Sequence, residues 1–177
     1  VDHIDQAINS WIIELRPKMW EFLELLENDS IPLIIFSASG LGGDSIRSYL
    51  EFHGQLKSNI HVVSNTFTWS EEGIANGRLE PVIHVFNKEI SAIRSQPEIY
   101  SSISDKRDII LLGDSIGDTH MADGNDADTV LKIGFLTKNP EKNLAEYMQK
   151  FDIVLVGDGD MGIIIDTIQN MKIENDC

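Results

Sequence analysis

Short apolar runs alternate with segments of helical periodicity along most of this chain. Five runs have the length and composition of buried parallel strands, at residues 31–36, 60–63, 109–112, 129–135 and 152–156. Segments with apolar residues at helical spacing precede, separate and follow them, at residues 5–28, 46–52, 90–93, 141–149 and 161–171. Strands that alternate with helices predict an α/β fold with a mainly parallel sheet flanked by helices.

One region departs from this alternation and predicts an antiparallel β excursion within residues 62–86. Residues 66–69 have the composition of a strand, and Glu72-Gly73 and Asn76-Gly77 are turn signals. Residues 82–86 are apolar and predict a strand that returns to the main body, with His84 packed in the core. A helix is then expected to begin at Asn87-Lys88.

Size and charge limit the classes of partner. The 177 residues suit one core, and the formal net charge of -15 disfavours nucleic acids and anionic membranes. Cys177 is the only cysteine, which favours a reducing compartment, and the first residues are acidic where a signal peptide is basic. No apolar window is long enough for a membrane span. We therefore expect a cytoplasmic protein; its oligomeric state is left open.

Two carboxylates follow the third apolar run and are the first candidates for chemistry. Asp114 and Asp118 come after Gly113, and the ligand sites of open α/β sheets lie at the carboxyl ends of strands. Carboxylate oxygens there can hold a hard divalent cation such as Mg²⁺. The alternative is a polar turn between strand and helix, in which an aspartate or serine caps the helix.

Phosphate-binding groups follow two other apolar runs. The Ser37 hydroxyl and the backbone N–H groups of Ala38 and Ser39 can receive phosphate oxygens, and the nearby glycines allow close approach. Lys88 lies at a predicted helix start, where a cation is unfavourable unless an anion is bound. The alternatives are a flexible turn and a solvated surface lysine. Together with Asp114 and Asp118, these residues predict a site for phosphate and magnesium.

Two residues beyond Asp118 complete the candidates in this part of the chain. His120 is close enough in sequence to lie near the site, although a direct role is the less favoured interpretation. Asp123 is expected to cap or brace the same turn.

The order of three short motifs resembles that of the haloacid-dehalogenase superfamily of phosphohydrolases. These motifs are Phe36-Ser37-Ala38, Phe86-Asn87-Lys88 and Gly113-Asp114-Ser115-Ile116-Gly117-Asp118. The stretches 62–65, 83–88, 109–115, 121–124 and 147–156 are also similar to the cytosolic pyrimidine 5′-nucleotidase family. The resemblance covers nearly the whole chain, and it implies a Rossmann-like haloacid-dehalogenase core.

The resemblance implies a role for each candidate residue. Ser37 would bind the transferring phosphoryl group, and Lys88 would neutralise its charge and that of the nucleophile. Asp114 would ligate Mg²⁺ directly, while Asp118 would support the metal shell, with assistance from Ser115. The implied reaction is hydrolysis of a nucleoside 5′-monophosphate to nucleoside and phosphate through an aspartyl-phosphate.

The chain departs from the family pattern at its first motif, an Asp-x-Asp that ends an apolar strand. No such motif precedes Ser37, and Asp158-Gly159-Asp160 follows the last strand, so we do not accept it as a substitute. Most of the family's cap is absent as well. The loop at residues 37–44 is longer than the family's, which puts the shape of the phosphate pocket in doubt.

These departures predict the organisation of the chain. Residues 1–28 are interpreted as a helical remnant of the cap, and residues 29–177 as the core without its first strand. We expect a fragment or the product of a truncated gene, which is inactive as it stands because the nucleophile is missing.

The absent strand has a physical consequence. In the family it is central, between the strand that ends at Ser37 and the one that ends at Asp114. Without it, two strand edges would face each other about 10 Å apart, and such edges pair with something else or aggregate. If the chain folds alone, we predict that the two strands pair directly or that a partner fills the gap.

Two alternatives to the nucleotidase remain. The chain is then either a non-catalytic relative that binds phosphate or a partner, or a phosphatase of the same superfamily for another small phosphate ester. The sequence does not separate pyrimidine from 7-methylguanosine nucleotides.

Overall fold

The computed structural model describes residues 15–38, 42–80, 82–84 and 90–175. Its α-helices are α1 (Met19–Asn28), α2 (Gly42–Phe52), α3 (Ile90–Arg94), α4 (Pro97–Ile103), α5 (Pro140–Lys150) and α6 (Gly162–Asn175), with a 3₁₀ helix at Ile116–His120. Its strands are β1 (Leu33–Ser37), β2 (Ile60–Ser64), β3 (Phe67–Trp69), β4 (Ala75–Arg78), β5 (Asp108–Gly113), β6 (Thr129–Leu136) and β7 (Ile153–Val156). Among these helices, none has both the length and the apolar character that a membrane span requires.

The strands form three sheets. Strands β1 and β2 pair in parallel, and β5, β6 and β7 form a parallel sheet in that order. Strands β3 and β4 are an antiparallel pair. The predicted fold class, parallel strands flanked by helices with a small antiparallel excursion, is confirmed.

The hydrophobic core is continuous on one face of the parallel strands. We call this part the shared cluster; it includes buried residues of α1, β6 and α6, and both β1 and β5 contribute to it. On β1 the contributing side chains are Leu33 and Ile35, and on β5 they are Ile110 and Leu112. One cluster thus connects the two parallel sheets.

The core is divided on the other face. Because successive strand residues point to opposite faces, Ile34 and Phe36 of β1 pack in a second cluster with Val63, Ile83, Ile90 and Ile93. The corresponding residue of β5, Leu111, is buried in a third cluster with Leu136, Tyr147 and Phe151, against which Ile109 packs. We call these the β1 cluster and the β5 cluster.

Of the two outcomes predicted for the strands before Ser37 and Asp114, direct pairing is wrong for this structure, and a partner that fills the gap remains a prediction. Strand β1 is hydrogen-bonded to β2 and β5 to β6, and β1 and β5 belong to different sheets. A cavity of about 640 Å³ lies between them and is lined by residues of both strands. The same cavity explains why β1, predicted to be a buried strand, is half-buried at all five positions.

The return strand predicted at residues 82–86 is not present in its described part, because Val82, Ile83 and His84 lie outside any strand. The backbone of Ile83 is instead hydrogen-bonded to the side chain of Asn65. Asn65 Nδ2 donates to the Ile83 carbonyl at 3.0 Å, and Asn65 Oδ1 accepts from the Ile83 N–H at 2.8 Å. His84 is exposed, so its predicted place in the core is wrong.

Of the two turn signals predicted within the antiparallel excursion, only Glu72-Gly73 lies in the turn that connects β3 and β4. Gly73 has a φ of 74° between β3 and β4. Asn76 and Gly77 instead lie within β4, where the register shifts opposite Thr68 and Trp69. A bulge therefore takes up the second signal, since glycine-containing pairs also suit such irregularities.

The boundary at residue 28 between a helical remnant of the cap and the core remains a prediction, since residues 1–14 are outside the described part of the chain. Helix α1 begins at Met19, two residues after Pro17, with Lys18 as its N-cap. Its buried residues Phe22, Leu23 and Leu26 pack in the shared cluster. In the described structure this helix is therefore part of the core.

Candidate functional site

The turn after β5 brings together three of the polar residues singled out in the sequence. Asp114 directly follows the last residue of β5, and Ser115 is the N-cap of the 3₁₀ helix that contains Asp118. Asp114 is exposed, whereas Asp118 is only 3% exposed. The two carboxylates therefore have different surroundings although they are four residues apart.

Asp118 holds the turn in shape. One of its carboxylate oxygens, Oδ2, accepts hydrogen bonds from the Asp114 N–H at 3.2 Å, the Ser115 N–H at 3.1 Å and the Ser115 hydroxyl at 3.0 Å. A carboxylate at a helix start is favoured by the backbone N–H groups that point toward it. The capping role considered as an alternative for this motif is thus present, and it positions Asp114.

The turn after β5 requires a glycine at position 113, where the Asp118 side chain packs against the end of the strand. A Cβ atom added to Gly113 would lie 2.6 Å from the Asp118 Cβ, which is shorter than any ordinary contact. Gly113 therefore allows the Asp118 side chain to fold back against the end of β5. The Gly-Asp-Ser-x-Gly-Asp sequence encodes this close approach as well as the two carboxylates.

Helix α5 holds the turn from the other side. The Tyr147 hydroxyl donates a hydrogen bond of 2.7 Å to the backbone carbonyl of Asp114, and its ring stacks on Phe151 at 5.4 Å between centroids. Burial, together with the negative charges of Asp114, Asp118 and Glu146, raises the pKa of Tyr147 above its ordinary value. The phenol therefore remains a hydrogen-bond donor well into the alkaline range.

The predicted phosphate-binding groups are only partly described. Ser37 is the last residue of β1 and lies opposite Ser64 of β2 in the parallel register. Ala38 follows it and is half-buried, whereas Ser39 and Lys88 lie outside the described residues. The predictions that Ser37, Ala38 and Ser39 bind phosphate and that Lys88 offsets its charge remain predictions.

The two residues after the turn form a pair. His120 Nδ1 lies 2.7 Å from the Asp123 Oδ2, and both side chains are more than half exposed. Asp123 thus contacts the last residue of the 3₁₀ helix, and its predicted role in capping or bracing the turn remains a prediction. A direct role of His120 in chemistry remains a prediction.

The rejected motif at residues 158–160 has other contacts. Asp158 lies 3.3 Å from the Arg16 guanidinium, and Asp160 lies 3.5 Å from the Lys18 ammonium. Asp160 also accepts a hydrogen bond from the Gly162 N–H. These carboxylates join the segment before α1 to the segment before α6, so both make contacts unrelated to the turn after β5.

The residues of the turn fit a magnesium ion that keeps most of its own water. Within the described ranges, no group of three or more His, Cys, Asp or Glu side chains could form a metal cage. Mg²⁺ is usually held by one or two carboxylates together with waters and substrate phosphates. Asp114, exposed at the end of a parallel strand and fixed by its neighbours, offers one such carboxylate.

Sequence reasoning missed the supports of the site. Tyr147 is 33 residues from Asp114, and no local pattern connects the two. Ser64 was also missed; its hydroxyl oxygen is buried and has no hydrogen-bond partner in the described part of the chain. The parallel pairing of two runs that each end in serine was the signal that could have found it.

Comparison with known proteins adds to this picture. Residues 1–172 match the sequence profile of the family described as pyrimidine 5′-nucleotidase (UMPH-1). A 7-methylguanosine phosphate-specific 5′-nucleotidase of Drosophila melanogaster is 40% identical over 161 residues, which is 90% of this chain and 50% of that protein. The Homo sapiens protein of the same name is 37% identical and covers 95% of this chain and 55% of its own length.

A solved structure has the same fold. The crystal structure of cytosolic 5′-nucleotidase IIIB (cN-IIIB) bound to cytidine matches with a TM-score of 0.83 and 37% identity, over 92% of this chain and 54% of that one. This match supports the haloacid-dehalogenase-like core expected from the motifs. The chain spans about half the length of the relatives it matches.

Proposed function

The chain belongs to the pyrimidine 5′-nucleotidase family, and from that premise we propose that it carries the magnesium- and phosphate-binding part of a 5′-nucleotidase. The reaction is hydrolysis of a nucleoside 5′-monophosphate to nucleoside and phosphate. The observation that supports the proposal most directly is the turn after β5. There the Asp118 carboxylate and the Tyr147 hydroxyl fix the backbone of an exposed Asp114.

The proposal assigns one task to each candidate residue. The Ser37 hydroxyl, with the backbone N–H groups of Ala38 and Ser39, binds oxygens of the phosphate, and Lys88 offsets its negative charge. Asp114 and Asp118 hold Mg²⁺, the first directly and the second by supporting the turn. When bound, Mg²⁺ stabilises the charge that develops on the phosphoryl oxygens.

The 177 residues are proposed to bind nucleotide without turning it over. Before Ser37 the sequence offers no Asp-x-Asp at the end of an apolar strand. A covalent route needs a carboxylate in that place to attack phosphorus. For these 177 residues taken alone, binding of phosphate without hydrolysis is therefore the second candidate function.

The names of the relatives indicate which nucleotides to test as substrates. Two relatives are named as specific for 7-methylguanosine phosphate, and the solved structure contains cytidine. We take 7-methylguanosine 5′-monophosphate and CMP as the two candidate substrates. A Caenorhabditis elegans relative is named a putative cytosolic 5′-nucleotidase, which supports a cytoplasmic location.

Calorimetric titration with Mg²⁺, in the presence of CMP or 7-methylguanosine 5′-monophosphate, tests the site. Asp114→Asn should weaken magnesium binding by about 10- to 100-fold. Asp166→Asn is the matched control, because Asp166 is an exposed carboxylate of α6. Equal affinity in the wild type and Asp114→Asn would show that the turn after β5 is not the magnesium site.

Phosphate release from the same nucleotides tests the chemistry. The wild-type chain should release none. A chimera that supplies the uncovered half of the Drosophila relative should release phosphate, and Lys88→Ala should abolish that release. Release by the 177 residues alone would mean that a nucleophile lies within them, which would overturn the proposed lack of turnover.

A further inference from the structure

The end of β2 contains a buried hydroxyl group to which the proposed function assigns no task. Ser64 is the last residue of β2, and its hydroxyl oxygen is buried with no hydrogen-bond partner among the described residues. Burial of a hydroxyl without a partner is unfavourable, so such a group in a folded protein calls for an explanation. The position of Ser64 beside the predicted phosphate-binding group supplies one.

Ser64 is the neighbour of Ser37 across the parallel ladder. The register places Ser37 of β1 directly opposite Ser64 of β2. Neighbouring strands lie about 4.8 Å apart, and side chains in register point to the same face of the sheet. Rotation of one side chain about its Cα–Cβ bond therefore decides whether the two hydroxyl oxygens are within hydrogen-bond distance. The Ser64 hydroxyl is thus placed to donate to the Ser37 oxygen after such a rotation.

The start of α2 covers the Ser64 side chain. A Cβ atom added to Gly43 would lie 3.3 Å from the Ser64 Cβ and 3.8 Å from the Ser64 hydroxyl oxygen. The Gly43 N–H donates a hydrogen bond of 2.9 Å to the backbone carbonyl of Asn65, which holds the start of the helix in this place. Because its oxygen is covered, Ser64 would act on a bound ligand through Ser37 and not by direct contact.

Size alone does not account for a serine at this position. The close approach of Gly43 requires a small side chain at residue 64, and alanine would meet that requirement without a buried, unpaired hydroxyl. By contrast, the half-buried hydroxyl of Ser102 on α4 has two partners, the Ile99 carbonyl at 2.7 Å and His61 Nε2 at 3.1 Å. A role in binding therefore explains the Ser64 hydroxyl better than a role in folding.

We propose that Ser64 is a positioning residue for phosphate binding, whose hydroxyl donates a hydrogen bond to the Ser37 oxygen when Ser37 donates to a phosphate oxygen. A serine hydroxyl has one donor proton and two acceptor lone pairs, so Ser37 can donate to phosphate and accept from Ser64 at once. Hydrogen bonds in such a chain strengthen one another. This inference rests on the proposed function, because it takes Ser37 as the phosphate-binding hydroxyl.

A double-mutant cycle tests the proposal. The Kd of inorganic phosphate in the presence of Mg²⁺ is measured by phosphorus NMR titration for the wild type, Ser37→Ala, Ser64→Ala and the double variant. Ser64→Ala should raise the Kd by about 5- to 10-fold, in the range expected for one hydrogen bond. In the Ser37→Ala background the same substitution should change the Kd by less than about twofold, because no Ser37 hydroxyl is left to position.

Thermal denaturation separates a positioning role from a structural one. Because Ser64→Ala removes a buried hydroxyl that has no partner, the Tm should stay unchanged or rise by up to about 4 °C. Ser102→Ala is the matched control, since it removes a hydroxyl with two partners that lies on α4. It should lower the Tm by about 2–4 °C and leave the Kd of phosphate within about twofold of the wild type.

Three results would overturn this inference alone, each with Ser37→Ala still raising the Kd. An unchanged Kd in Ser64→Ala would mean that Ser64 has no part in binding. A raised Kd together with a lowered Tm would mean that Ser64 stabilises the fold. Equal effects of Ser64→Ala with and without the Ser37 hydroxyl would mean that the two serines act independently.

Failure of the proposed function gives a different pattern. A wild-type chain that binds no phosphate, or a Kd that Ser37→Ala leaves unchanged, would show that Ser37 is not the phosphate-binding hydroxyl. Either result would overturn the proposed role of Ser37 and, with it, the positioning role of Ser64.

Discussion

Strands β1 and β6 are both largely apolar but have different surroundings. Both are apolar and parallel, yet Ile133 of β6 is fully buried whereas all five residues of β1 are half-buried. Strand β6 has a hydrogen-bonded neighbour on each side, whereas β1 has one neighbour, β2, and borders the cavity that separates it from β5. Burial of an apolar strand is therefore decided by its neighbours as much as by its own residues.

The two sheets also differ at their carboxyl ends. The three-stranded sheet ends in a turn whose Asp118 accepts three hydrogen bonds and whose Asp114 is held by Tyr147. The two-stranded sheet ends in Ser37 and a loop that is only partly described. The half of the candidate site on β5 is thus organised by its own local contacts and by α5.

The largest expected effect comes from matched truncations in the two strands. Ile133→Ala should destabilise the protein by about 3–5 kcal/mol, because it leaves a cavity in a fully packed core. Ile35→Ala should cost only about 1–2 kcal/mol, since Ile35 packs in the same shared cluster but is only half-buried. Urea denaturation measures both. Equal costs would show that β1 is packed as well as β6.

An intermediate change in stability is expected from a substitution in the turn after β5. Asp118→Ala removes the acceptor of three hydrogen bonds and should destabilise the protein by about 2–3 kcal/mol. Asp166→Ala, at an exposed carboxylate, should change the stability by no more than about 0.5 kcal/mol. Thermal denaturation of the two variants compares them. A small effect of Asp118→Ala would mean that its capping contacts contribute little to the organisation of this sheet end.

The smallest expected change in stability concerns the hydrogen bond that Tyr147 of α5 donates to the turn after β5. Tyr147→Phe removes the hydrogen bond to the Asp114 carbonyl and should cost about 1 kcal/mol near neutral pH. Because the pKa of Tyr147 is raised in the folded state, the unfolded chain loses this proton first as the pH rises. Stability should therefore fall above the ordinary tyrosine value of 10.0 in the wild type.

Stability measured between pH 8 and 11 checks this expectation. The alkaline decline should be shallower in Tyr147→Phe than in the wild type. Tyr100→Phe is the control, because Tyr100 is a half-buried tyrosine of α4 that contacts Arg94. An identical decline in wild type and Tyr147→Phe would contradict the raised pKa.

The elements that could be predicted from the sequence are those whose structure is determined by residues close to one another in the chain. The apolar runs that became β2, β6 and β7 were found with ends within one residue of those observed, because a short continuous apolar run has a distinctive composition. The turn at Asp114 and Asp118 was found for a similar reason. Its glycine, cap and carboxylates lie within six residues, so one short motif contains the whole local structure.

What could not be predicted depended on distant contacts. His84 was expected in the core because it lies among apolar residues, yet Asn65 bonds the backbone of Ile83 and leaves His84 exposed. Tyr147 reaches Asp114 across 33 residues. Strand β1 was predicted to be buried from its composition, but its half-buried state depends on its neighbours and not on residues 33–37 themselves.

The shared cluster has a geometric consequence. It packs against both parallel sheets on one face, whereas the opposite face carries two separate clusters. Ser37 ends one of these sheets, and Asp114 directly follows the first strand of the other. The packing of this one cluster therefore sets the distance between the group proposed to bind phosphate and the group proposed to bind metal.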